Sequence, residues 1–76
     1  MEVVVRMSRN ARREAEDAGA EWLDALAELF GDIAERADYH TLNVIVPTSN
    51  AREKLDDIVC KAANGLLEII DLDIAR

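Results

Sequence analysis

The chain has 76 residues, half of them apolar and a third charged, with sixteen acids against nine bases and a formal net charge of -7. A chain this short forms one domain and buries only about 60% of the surface its unfolded form exposes, and its composition sets it apart from disordered proteins. The acidic excess argues against nucleic acid and anionic membrane surfaces, both of which are held by Lys and Arg.

No apolar run approaches the ~20 residues needed to span a bilayer, and no basic stretch followed by an apolar one marks a targeting signal. The chain reads as soluble and untargeted, compatible with cytoplasmic expression. Cys60 is the only cysteine, which excludes an intrachain disulfide and a cysteine-based zinc site.

Glu2 to Met7 alternates Val3, Val5 and Met7 with Glu2, Val4 and Arg6, the period of a strand covered on one side. Ser8 and Asn10 follow as N-cap residues. From Asn10 to about Ala37, the positions Ala11, Ala15, Ala18, Trp22, Leu26, Leu29, Ile33 and Ala37 recur at steps of three and four, which predicts one long helix. Unbroken, it would run about 42 Å at 1.5 Å per residue, far beyond a short strand, so a break or bend is expected near Gly19. Gly31 is the weaker candidate, since Phe30, Ile33 and Ala34 continue the pattern around it.

Leu42 to Val46 is the second predicted strand, with Leu42, Val44 and Val46 on one face and Asn43 and Ile45 on the other. Pro47 ends it by removing a donor. Thr48, Ser49 and Asn50 offer caps for a second helix whose stripe is Ala51, Leu55, Ile58 and Ala62, and Asn50 with Glu53 forms a capping-box pattern. A helical wheel at 100° per residue puts Cys60 about 150° from that stripe, on the solvent side. Asn64 and Gly65 stop the helix. Leu66 to about Ile74 is the third strand.

Strand, helix, strand, helix, strand predicts a small two-layer α/β fold, a βαβαβ domain spanning residues 1–76 with a three-stranded parallel sheet and two right-handed crossover helices. Alternation in the first two strands favours strand order 1-2-3 with both helices on one face, and Val4 and Ile45 on the open face call for a cover. A ferredoxin-like βαββαβ arrangement would need another strand between Ala37 and Leu42, where the spacing leaves no room.

Forty residues apart, Val4, Ser8, Asn10, Ala11 and Arg12 recur as Val44, Thr48, Asn50, Ala51 and Arg52. One junction solution used twice, within a clean series of elements, resembles a computationally designed small α/β protein. That resemblance implies a structural scaffold with no evolved biochemical activity.

Two further readings come from the residues. Parallel strands would set both strand-to-helix junctions side by side at their carboxyl edge, where Ser8, Asn10, Arg12, Thr48, Ser49, Asn50 and Arg52 could hold an anion, although no glycine-rich phosphate loop is present. The helix carries a wide apolar arc, so Trp22, Leu23, Leu26 and Phe30, with Val4 and Ile45 of the sheet, are the candidate interface of a homodimer. No cofactor, metal site, catalytic residue or small-molecule substrate is indicated. Cys60 has acidic neighbours that oppose a thiolate, and the acid clusters match no calcium loop.

Overall fold

The computed structural model describes residues 2–71. Strand β1 is Glu2–Met7, helix α1 Arg9–Glu14 and helix α2 Glu16–Phe30; one 3-10 turn at Gly31–Ile33 leads into β2, Ala34–Asp38. After a tight turn come β3, Thr41–Ile45, and α3, Ser49–Asp57, which widens into a π turn at Ile58–Ala62 before β4, Leu67–Asp71. The predicted extension of the last strand over 72–74 lies outside the described residues.

The sheet has four strands in the order β2-β3-β1-β4. Every neighbouring pair is antiparallel. The expected three-stranded parallel sheet is therefore wrong, and the reason is local. Gly31 adopts a positive φ of 59° and closes α2, so the segment assigned to the helix tail is free to form β2. Each crossover still joins two strands that run the same way, but a third strand lies between them. This is the βαββαβ, ferredoxin-like topology, and the extra strand that it needs lies at Ala34–Asp38, largely before the Ala37-to-Leu42 gap in which the spacing leaves no room.

The helix breaks at Ala15 (φ -145°, ψ 42°), not at Gly19. Hydrogen bonding continues through the break, since the Ala15 amide donates to the Ala11 carbonyl and the Gly19 amide to the Ala15 carbonyl. After the break, Gly19 and Leu23 take the inward places expected of Ala18 and Trp22, while Leu26 keeps its own. Gly19, Ala20, Leu23 and Leu26 face inward, whereas Trp22 is only partly buried against the core and Leu29 is 51% exposed.

One apolar cluster joins Val3, Val5 and Met7 of β1 and Leu42 and Val44 of β3 to Leu23 and Leu26 of α2 and Leu55 and Val59 of the α3 segment. Both helices thus cover one sheet face. The other face carries Glu2, Val4 and Arg6, with Asn43 and Ile70 beside Val4 and Ile45 beside Glu2 in register. Cys60 is exposed, as its place on the wheel predicts. Among the described residues no helix is long and apolar enough to cross a membrane.

Candidate functional site

Because β1 and β3 are antiparallel, Glu2 pairs with Ile45 and Arg6 with Thr41. The carboxyl end of β1 thus meets the start of β3, and the two strand-to-helix junctions stand at opposite edges of the sheet. The shared anion site built from both is corrected by this register. Ser8, Asn10 and Arg12 belong to one edge, and Thr48, Ser49, Asn50 and Arg52 to the other. At the second edge Arg52 is engaged by Asp56 one helical turn away.

The forty-residue echo has a structural counterpart in the two βαβ halves, β1 to β2 and β3 to β4. Ser8 Oγ accepts from the Ala11 amide at 3.1 Å and Thr48 Oγ1 from the Ala51 amide at 3.2 Å. The hydroxyl residues are the caps, and Asn10 and Asn50 lie inside the first helical turns.

The β1 edge holds a cleft of about 740 Å³. Its walls come from four elements. Strand β1 supplies Arg6 and Met7, α1 supplies Arg9, Arg12 and Arg13, the start of α2 supplies Glu16, and Glu68 comes from β4. His40 enters from the turn between β2 and β3, held beside β1 by the Met7 amide, which donates to the His40 carbonyl at 3.0 Å. The Ser8 amide donates to the Leu66 carbonyl at 2.8 Å and Ser8 Oγ to the Gly65 carbonyl at 2.7 Å, which fixes the start of α1 against the approach to β4.

Two basic side chains of the cleft are already held. Arg6 Nε donates to Glu68 Oε2 at 2.6 Å, and His40 Nε2 lies 2.6 Å from Glu16 Oε2. The three arginines of α1 differ from these, since none forms an ion pair among the described residues. Arg12 and Arg13 stand three and four residues after Arg9, positions whose Cβ atoms lie about 5–6 Å from its own on the helix surface. Like charges at that spacing repel, and Arg9, at the first helical position, also opposes the helix dipole.

Sequence reasoning found Arg12 through the echo and missed Arg6, Arg9, Arg13 and His40. The spacing of Arg9, Arg12 and Arg13 was a usable signal. His40 was beyond reach without β2, since the hairpin brings it to the cleft.

The candidate interface residues divide. Leu23 and Leu26 are 0% and 1% exposed within the chain's own core, which removes them from any surface. Phe30 and Trp22 are partly buried against that core. Val4 and Ile45 do lie on the open sheet face, the latter 60% exposed. Among the described residues no group of three or more His, Cys, Asp or Glu side chains could hold a metal ion. Comparison with protein-family models, with curated proteins and with solved structures finds no match.

Proposed function

We propose that the chain is an anion-binding module that takes its ligand at the arginine cleft on the β1 edge. The observation that carries this reading is the set Arg9, Arg12 and Arg13, three guanidinium groups on one helix surface with no carboxylate partner among the described residues. Arg6, Arg36 and Arg52 each engage an acid. In a chain with sixteen acids and nine bases, three neighbouring unpaired arginines keep a local repulsion that a bound anion would relieve.

Phosphate tests the reading. A ligand at a hundred times its dissociation constant stabilises the native state by about 2.7 kcal/mol, and each kcal/mol raises Tm by roughly 4–8 °C in a domain of this size. Millimolar phosphate should raise Tm above a chloride control of equal ionic strength, and Arg9→Ala with Arg12→Ala and Arg13→Ala should remove the gain. The same Tm in phosphate and chloride would overturn it.

A second reading, self-association, is favoured by the exposure of Leu29 on α2 and Ile45 on the open sheet face. Light scattering at micromolar concentration would give twice the chain mass. A monomer that no anion stabilises would leave only the structural scaffold.

A further inference from the structure

Resting on the anion-binding reading, we infer that the ligand class is a compact polyphosphate: two or more linked phosphoryl groups, with no base or apolar moiety recognised. The number and placement of the cations call for more than one phosphoryl group. Arg12 and Arg13 each carry a planar donor fork whose Cβ root lies about 5–6 Å from that of Arg9. One fork engages two oxygens of a phosphoryl group in a bidentate pair. Three guanidinium charges exceed the roughly 1.5 to 2 negative charges of one phosphoryl group, whereas a chain of two or three groups carries charge to match all three. Four arginines against two glutamates also leave the lining two positive charges in excess, His40 not counted.

The surroundings limit the ligand to a compact one. Glu68 lies on Arg6 at one side of the cleft and Glu16 on His40 at another, so an extended polyanion running out past either would meet a carboxylate. Beyond them the surface belongs to a chain of net charge -7, which disfavours a long nucleic acid tract.

The lining offers a base one aromatic ring, that of His40, which Glu16 already engages. Its one uncharged, apolar member, Met7, is 1% exposed. Single-stranded nucleic acids and nucleotides gain much of their affinity from stacking on aromatic rings. The neighbouring aromatic, Tyr39, stands edge-on to His40 at 5.4 Å between ring centroids, with its hydroxyl turned to Asp17.

Calorimetric titration of the whole chain at matched ionic strength, with orthophosphate, pyrophosphate, tripolyphosphate, ATP and citrate, tests the assignment. Tripolyphosphate should bind at least tenfold more tightly than orthophosphate or citrate, and ATP no more tightly than tripolyphosphate. Replacing Arg9, Arg12 and Arg13 together by Lys keeps charge and helix propensity but removes the forks. It should lower tripolyphosphate affinity at least tenfold, while circular dichroism confirms the fold.

Each other outcome rejects something definite. Equal affinity for orthophosphate and tripolyphosphate would reject the polyphosphate class and leave an anion site of single-phosphate size. Tighter binding of ATP would show that a base is recognised. An unchanged Lys variant, or citrate equal to tripolyphosphate, would reduce the site to unspecific charge attraction. Binding of none of the five would remove the anion-binding reading itself.

Discussion

Gly19 and Met7 meet where α2 lies over β1, and a Cβ built on Gly19 would stand 2.9 Å from Met7 Cγ and 3.0 Å from its Sδ. The glycine therefore serves close approach of helix and strand, not a helix break. Met7 is 1% exposed, and its Cγ lies near the root of the side chain, so it has little room to retreat. In Gly19→Ala the gain in helix propensity, up to about 1 kcal/mol, opposes an overpacking cost of about 1–3 kcal/mol. The variant should be less stable in urea by up to about 2 kcal/mol. A variant more stable than the parent would show that Met7 yields freely.

Leu23 and Trp22 adjoin on α2 but differ in burial, and their truncations should differ in the same sense. Leu23 is 0% exposed, so Leu23→Ala should lose about 2–5 kcal/mol. Trp22 lies at the rim with Ala18, Glu21 and Ala25, and Trp22→Ala should cost less despite removing more atoms. The reverse order in chemical denaturation would return Trp22 to the buried stripe in which the three-and-four spacing puts it.

Asp38 accepts the His40 amide on Oδ1 at 2.8 Å. That bond first, and then the Thr41 side chain, hold its carboxyl below the ordinary value of 3.8. A depressed folded-state pKa means that the charged carboxylate stabilises the turn above the unfolded value, and that the stabilisation fades as pH falls through the folded one. A side-chain NMR titration should give Asp38 a midpoint below 3.8, and Asp38→Asn should remove its share of the acid-side loss. A midpoint at or above 3.8 would show that the turn does not hold the carboxylate.

What the sequence made legible depends on how strongly each element is patterned. Strands β1, β3 and β4 are rich in Val, Leu and Ile, and two of them alternate. Strand β2 reads Ala34, Glu35, Arg36, Ala37, Asp38, with no β-branched residue and no fully buried side chain. Its alanines extend the helical spacing by coincidence. What makes it a strand is tertiary, namely the helix stop at Gly31 and pairing with β3, in which Ala34 lies opposite Val44 and Arg36 opposite Leu42. Missing it turned an antiparallel sheet into a parallel one and carried the two junctions to the same edge. Arg36 shows how the strand is secured, since it engages Asp24 of α2 and donates through Nη2 to the Tyr39 carbonyl. Those partners lie 12 residues before it and three after it, and no periodicity joins them.

The two caps give the final prediction, because the junctions repeat in sequence but differ in tertiary partners. Ser8 Oγ accepts from the Ala11 amide and donates to the Gly65 carbonyl, so one hydroxyl ties the start of α1 to the turn before β4. Thr48 makes the corresponding cap to the Ala51 amide. Losing a cap costs about 0.5–2 kcal/mol, and a net hydrogen bond adds about 0.5–1.5 kcal/mol. Ser8→Ala should therefore be the most destabilising of four alanine variants, Thr48→Ala should show a plain cap loss, and Asn10→Ala and Asn50→Ala should stay within about 0.5 kcal/mol of the parent, as surface substitutions do. Gly65 has a positive φ of 81° and open space beside it, so Gly65→Ala should destabilise through backbone strain alone. If Ser8 and Gly65 act together, the double variant should lose less than the sum of the two single losses. Strict additivity, or a loss at Asn10 equal to that at Ser8, would break the link between the start of α1 and β4.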